Sequence, residues 1–160
     1  GFPSYEVDLT KKYNANVKFD AAIVIGGIHH CVSDLEVTIN NIGNLIKKDG
    51  YFLMMEPNAD YILEPIRKFW YKKDKYFESD TERALQHAEI LKMGKNHFKL
   101  LDVQYCGGIA YFLIFNSLIF RMPKRLKKML KSILFKQEVL YNKLPGKLPF
   151  AYFLAKWKKI

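Results

Sequence analysis

The sequence lacks the marks of several protein classes. It has only two cysteines, Cys31 and Cys106, without paired spacing, and no signal peptide precedes the first predicted strand. A disulfide framework and a metal cluster are therefore not expected, and a reduced, cytoplasmic setting is favoured. No apolar run reaches the roughly 18 residues that a membrane-spanning helix needs. The longest run, 109–120, is broken by Asn116 and Ser117, so an integral membrane protein is not expected.

Length and charge describe one domain with an uneven charge distribution. A chain of 160 residues, 49% of them hydrophobic, suits a single core. The net charge of +10 lies almost entirely in the last quarter of the chain. Residues 121–160 hold twelve Lys or Arg and one acidic residue, Glu138, whereas residues 1–120 hold fourteen basic and fifteen acidic residues. The basic character therefore belongs to a C-terminal segment.

The segment from Phe19 to Asn58 predicts a strand, a helix and a second strand. Residues 21–25 form a continuous apolar run, as in a strand buried in a parallel sheet. Ser33-Asp34-Leu35-Glu36 is a capping box that predicts a helix start at Ser33, and Lys47-Lys48-Asp49-Gly50 predicts its end. Residues 51–56 resume the strand pattern. This order predicts a parallel crossover in an α/β sheet.

Further elements are predicted on both sides of this unit. A short strand is expected at Tyr5–Asp8, a helix at Thr81–Met93 with Asp80 as its cap, and a strand at Phe98–Tyr105. Residues 151–157 could form a closing strand that returns to the sheet. In open sheets of this type ligands bind at the carboxyl ends of the strands, where Asp8, Gly26 to His30 and Glu56 to Asn58 should gather.

The histidines are the strongest candidates for chemistry. His29 and His30 follow a predicted strand, and imidazole is the side chain best suited to move a proton near neutral pH. Two adjacent histidines cannot both face one ligand from an extended segment, and one or both could instead be structural. His87 and His97 have no acidic or Cys companions at metal-ligand spacing, so they are expected to be surface or structural residues.

The acidic candidates are equally open. Asp8 could accept a hydrogen bond from a ligand, or it could form a turn ahead of Leu9 and Thr10. Glu56 could bind substrate or could cap the end of its strand, and the second interpretation is slightly favoured.

The segments FD…HH, ending at His30, and KKDG…EPN, ending at Asn58, resemble class I S-adenosylmethionine-dependent methyltransferases whose fourth strand reads FDxxxxxxxxHH. The resemblance covers about Tyr5 to Tyr105 and the last strand. It implies a Rossmann-like three-layer sheet with a helical insertion before the last strand. It also implies S-adenosylmethionine as the cofactor.

The resemblance also implies roles for individual residues. Asp8 and Leu9 would contact the adenine, and Gly26, Gly27 and Ile28 would lie beside the methionine part of the cofactor. His30 would be the base that deprotonates an acceptor hydroxyl, with His29 as the alternate. Substrate contacts are expected from the segment after the next strand, at Glu56 and Asn58.

The first strand and the GxGxG loop of that family are absent from these residues, and the chain begins without Met. An N-terminally truncated domain is therefore expected, made of residues 1–108 and 150–160. Residues 109–149 would be an apolar and basic insertion.

The insertion has two interpretations that can coexist. After Pro123 an apolar stripe, Leu126 to Leu134, lies opposite a lysine-rich face, as in a lid over the active site or a helix on an anionic membrane surface. The predicted activity is methyl transfer to a small or lipid-linked acceptor. The alternative is a nucleic-acid- or membrane-binding module without catalysis, such as an inactive half-domain. In the nucleic-acid case bases would stack on aromatic residues such as Phe69, Trp70, Tyr71 and Trp157.

Overall fold

The computed structural model describes residues 4–14, 16–73, 77, 81–115 and 120–160. In these ranges the chain forms four strands and four α-helices. In chain order they are β1 (Phe19–Ile25), α1 (Leu35–Leu45), β2 (Ile46–Pro57), α2 (Glu64–Tyr71), α3 (His87–Gly94), β3 (Phe98–Cys106), α4 (Lys124–Tyr141) and β4 (Tyr152–Lys159).

The strands form one mixed sheet in the order β1-β2-β4-β3. β1 and β2 are parallel, with Val24 opposite Met54, and β4 runs antiparallel to both β2 and β3, with Ala155 between Met54 and Val103. This confirms the predicted α/β fold, the parallel crossover and the closing strand. The carboxyl ends of β1, β2 and β3 therefore lie at one edge of the sheet.

Helices α1 and α3 cover one face of the sheet. Buried residues of α1, among them Ile39 and Ile42, belong to the same core as Phe52, Phe153 and Trp157 of the strands. On the opposite face the alternating side chains Ile23 and Ile25 of β1 and Leu154 of β4 are exposed. The described chain therefore supplies one of the two helical layers that such sheets carry.

The boundaries of α1 differ from the prediction. Its N-cap is Asp34, whose carboxylate accepts a hydrogen bond from the backbone N–H of Val37 (3.2 Å). The cap therefore lies one residue after the predicted cap, Ser33, and the helix begins at Leu35. The segment 47–50 does not end the helix. It forms an irregularity within β2, where Ile46 pairs with Phe19 and the next paired residue is Tyr51.

Two further predictions are wrong. Residues 5–8 form no strand, because the described N-terminal segment runs as an irregular chain with a turn at Leu9 and Thr10. Helix α3 begins at His87 rather than Thr81, since a capping box between Gln86 and Glu89 sets its start. The predicted cap, Asp80, lies outside the described residues.

Residues 109–149 contain the predicted helix, α4, but only part of its predicted apolar stripe is buried. Leu134 and Glu138 are its buried residues, whereas Met129 and Ile133 of the predicted apolar stripe are exposed. In the part of the chain that the structure describes, no helix is long and apolar enough to cross a membrane.

Candidate functional site

The loop after β1 forms the centre of the candidate site. Gly26 adopts a φ of +59° and donates its backbone N–H to the carbonyl of Met55 (2.8 Å). At Gly27, a Cβ atom would approach Cγ1 of Val24 to 2.9 Å, closer than packed atoms tolerate. Both positions therefore favour glycine; Gly26 is exposed, and Gly27 is half-buried against Val24.

Glu56 holds this loop in place. Its side chain is 1% exposed, and Oε1 accepts hydrogen bonds from the backbone N–H groups of Gly27 (3.1 Å) and Ile28 (2.8 Å). Oε2 accepts one from the backbone N–H of His29 (3.3 Å) and lies 2.8 Å from Nδ1 of the same residue. The carboxylate at the end of β2 thus binds the whole turn that follows β1. A direct contact of Glu56 with substrate stays a prediction, and this geometry favours the strand-end role instead.

The two histidines have different surroundings. The His29 ring is mostly buried and bound to Glu56, whereas the His30 ring is about half exposed (48%). Nδ1 of His30 lies 2.7 Å from Oε1 of Glu82, a carboxylate that is itself largely buried. When Nδ1 carries the proton that binds Glu82, Nε2 keeps its lone pair and can accept a proton. Both histidines bind a carboxylate through Nδ1, and His30 is the more exposed of the two.

Glu82 was not predicted from the sequence. It reaches His30 because residues 81–85 run along the sheet edge, where the Arg83 N–H donates to the His29 carbonyl (3.2 Å) and Leu85 bridges to Asn58. The residues are far apart in the sequence and share no periodic element. No spacing pattern could therefore have shown the pair.

Asp8 and Leu9 lie in a turn. The Asp8 carboxylate accepts hydrogen bonds from the backbone N–H (3.0 Å) and hydroxyl (2.6 Å) of Thr10 and pairs with Lys11 (2.9 Å). These bonds, those of Thr10 first, lower the pKa of Asp8 to about 2. Asn41 donates to the Leu9 carbonyl (2.8 Å), which fixes the turn against α1. The structure shows the turn-forming alternative, and adenine contact stays a prediction.

Asn58 is fully buried and works as a structural link. Its Nδ2 donates to the carbonyls of Lys147 and Phe150, both at 2.9 Å, and its Oδ1 accepts from the Asp60 N–H (3.0 Å). These bonds attach the end of the insertion to β2. A direct contact of Asn58 with substrate stays a prediction that this burial does not favour.

A second buried carboxylate anchors the insertion at the same sheet edge. Glu138 accepts the backbone N–H groups of Gly108 (2.7 Å) and Ala110 (3.0 Å), which directly follow β3. Asn142, one turn later, accepts the Gly107 N–H (3.2 Å). The single acidic residue of the basic C-terminal segment therefore fixes α4 over the carboxyl end of β3.

Next to this anchor lies a cavity of about 400 Å³. Its walls come from the segment after β2, from α2, from residues 108–113 and from α4. Among the described residues, no group of three or more His, Cys, Asp or Glu is placed to hold a metal ion.

No protein-family model matches this sequence, and neither does any curated protein sequence. Solved structures do match its fold. An S-adenosylmethionine-dependent methyltransferase from Thermotoga maritima is 16% identical with a TM-score of 0.56, over 92% of this chain and 60% of that one. Another from Clostridium acetobutylicum is 14% identical with a TM-score of 0.55, over 95% and 62%.

A third similar structure is the N-methyltransferase NodS from Bradyrhizobium japonicum, in complex with S-adenosyl-L-homocysteine. It is 8% identical with a TM-score of 0.50, and the match covers 96% of this chain and 52% of NodS. The chain thus spans about half to three fifths of these neighbours. At these identities the likeness concerns the fold, and the chain has the α/β Rossmann-like fold of these methyltransferases.

Proposed function

We propose that this chain is the acceptor-side part of an S-adenosylmethionine-dependent methyltransferase domain. One observation carries the proposal: the half-exposed His30, paired with Glu82, follows the Gly26–Gly27 turn at the carboxyl edge of the sheet. This is the edge at which open α/β sheets bind ligands. The fold shared with methyltransferases supports the cofactor class.

The residues present fit part of the cofactor. Gly26 has no side chain and is exposed, and Glu56 holds the backbone of Gly27 and Ile28, so the methionine part could lie against this turn. Asp8 and Leu9 are the proposed neighbours of the adenine. S-adenosylmethionine, when bound, supplies an electrophilic methyl group, and the protein then needs mainly to position the acceptor.

His30 is the proposed base for a hydroxyl acceptor. Glu82 would orient the imidazole and stabilise its protonated form, while Nε2 would take the proton from the acceptor hydroxyl. The cofactor, when bound, would supply the methyl group and be left as the neutral thioether. Glu82 is thus a positioning residue. His29 also binds a carboxylate through Nδ1, but its side chain is 17% exposed against 48% for His30, so it is less accessible to an acceptor.

The test uses the natural protein that contains this chain. Activity is measured as the transfer of tritium from the labelled methyl group of the cofactor to the acceptor. His30→Gln should lower kcat by about 100-fold or more, the usual contribution of a general base. Glu82→Gln should lower kcat by a smaller factor than His30→Gln, since the imidazole stays but loses the carboxylate that orients it. The control is His97→Gln, because His97 lies just before the first residue of β3, at the end of the sheet opposite the candidate site. Full activity of the His30 variant would refute the proposed base.

The rest of the domain should pack on the open face of the sheet. β1 is an edge strand, and Ile23 and Ile25 project exposed apolar side chains from it. We expect further parallel strands to pair with β1 and helices to cover this face. Sequencing the coding region upstream of Gly1 tests this: a strand followed by Gly-x-Gly-x-Gly in frame would support it, and a nearby start codon would contradict it.

The proposed acceptor is lipid-linked, with the protein lying at an anionic membrane surface. Exposed apolar residues of α4, Met129, Ile133 and Leu140, recur at helical spacing as one stripe flanked by exposed lysines, the pattern of helices that lie in the membrane interface. Nucleic acid is a weaker candidate for this surface, because Trp157, one of its proposed stacking residues, is 1% exposed.

Flotation with vesicles tests the membrane contact. A charge-reversal triple variant on α4, Lys128→Glu, Lys131→Glu and Lys136→Glu, should lose its preference for anionic over neutral vesicles. A matched triple at exposed lysines elsewhere, Lys92→Glu, Lys95→Glu and Lys99→Glu, should keep most of it. An unchanged preference in the α4 variant, or none in the parent protein at low salt, would contradict the membrane proposal.

A further inference from the structure

The cavity beside Glu138 has the position of an acceptor site. It lies beyond the carboxyl ends of β2 and β3, at the same sheet edge as His30. Its volume, about 400 Å³, falls in the range of small-molecule sites. Its apolar walls are formed chiefly by Tyr61, Ile66, Trp70, Ile109, Phe112 and Leu113.

Two polar groups of its wall, the Arg67 guanidinium and the Tyr141 hydroxyl, are already bound to the protein. Arg67 donates to the carbonyls of Ala151 (2.9 Å) and Asn58 (2.8 Å) and pairs with Glu64. The hydroxyl of Tyr141 donates to the Pro149 carbonyl. A ligand in the cavity would therefore meet carbon atoms and aromatic rings, which favours hydrocarbon over sugar or phosphate.

The mouth of the cavity is also apolar. Ile66 and Trp70 of α2 and Ile109 after β3 line the cavity and are themselves substantially exposed. Exposed Ile62 and Phe69 extend this surface. An apolar mouth on an apolar surface suits a molecule that arrives from a lipid phase or a micelle.

We propose that this cavity binds the hydrocarbon chain of the acceptor, an acyl or prenyl tail. An apolar cavity of about 150 Å³ holds a six-carbon ring, so this one has room for on the order of a dozen carbons. The proposal rests on the proposed function, because it names the substrate class of the same site. The reactive hydroxyl at the end of the tail would then lie on the side of His30.

The experiment measures binding of a dansyl-labelled undecanoic acid by its emission shift, with dansylglycine as the probe that lacks the chain. No cofactor is needed. Ile66→Trp and Ile109→Trp put larger side chains at the cavity mouth and should each weaken binding of the long probe by about tenfold, or 1.4 kcal/mol. Ile160→Trp is the matched control, since Ile160 is 56% exposed against 59% for Ile66 but lies outside the cavity and outside α4.

Parent-like urea midpoints would establish that each variant folds. Equal binding of the two probes, or equal weakening by Ile160→Trp, would overturn the proposal, as would an undiminished affinity in both cavity variants. Binding of the long probe without any methyl transfer would uphold the cavity and count against the proposed function. Methyl transfer without binding of the long probe would support the proposed function and overturn the assignment of the cavity.

Discussion

Replacing Glu56 tests the central structural claim about the candidate site. Its carboxylate is the common acceptor for the backbone N–H groups of Gly27, Ile28 and His29 and for the His29 ring. Glu56→Ala removes all four bonds and leaves three backbone donors without an acceptor. Glu56→Gln keeps the side-chain volume and one carbonyl oxygen, but turns an NH₂ group towards donors.

The expected magnitudes follow from burial. Breaking a buried, charge-assisted cluster by removing one partner costs about 3–5 kcal/mol, so Glu56→Ala should lose that much free energy of unfolding. Glu56→Gln retains part of the cluster, and a loss of about 1–3 kcal/mol is expected, as for one unsatisfied buried group. A matched change at an exposed acid, Glu36→Gln in the first turn of α1, should cost less than about 1 kcal/mol.

Urea unfolding followed by circular dichroism measures these differences, and amide exchange locates them. The N–H groups of residues 27–29 should lose protection in both Glu56 variants, whereas those of β4 should change only with global stability. If the free energy of unfolding of Glu56→Ala lies within about 1 kcal/mol of the parent value and the amides of residues 27–29 stay protected, the anchoring role of Glu56 is refuted.

Three further variants test other parts of the fold. Glu138→Ala should expose the amides of Gly108 and Ala110 to exchange and lower stability by about 1–3 kcal/mol, because their acceptor is lost. Gly27→Ala should cost about 1–3 kcal/mol, since the added methyl overlaps Val24. Burial, and then Lys147, lower the pKa of His87, so the unfolded state binds more protons than the folded state below about pH 6.5. Stability should therefore fall from pH 7.5 to 5.5, and His87→Phe should flatten this dependence in urea titrations.

The fold was largely predictable from patterns within single elements. Apolar runs identified β1 and β2, and alternation with flanking glycine and proline identified β3 and β4. Element starts were less predictable, because Asp34 and Ser33 are both good caps and only packing decides between them. The strand predicted at residues 5–8 failed for a related reason: a short alternating segment forms a strand only when a neighbour pairs with it.

The candidate site was predictable only in part. His30 was a candidate because it follows a predicted strand. Nothing in the sequence indicated Glu82, because its contact with His30 depends on how residues 81–85 cross the sheet edge. The same limit applies to Glu56 and Asn58. Both lie at the end of a strand, where ligand-binding residues are found, but their side chains are buried in the protein. Residue type and strand position cannot distinguish an acid that binds a ligand from one that binds the loop next to it.

The two buried glutamates have a common role in the proposed mechanism. Each stands on one element and accepts backbone N–H groups from the loop that follows a different strand, Glu56 after β1 and Glu138 after β3. Loops at a sheet edge cannot satisfy their amides by strand pairing, and a buried carboxylate that accepts several of them leaves few alternative conformations. The loop that would face the cofactor and the loop that walls the cavity are thus fixed independently. A substrate chain could therefore alter the α2 side of the cavity without disturbing the position of His30.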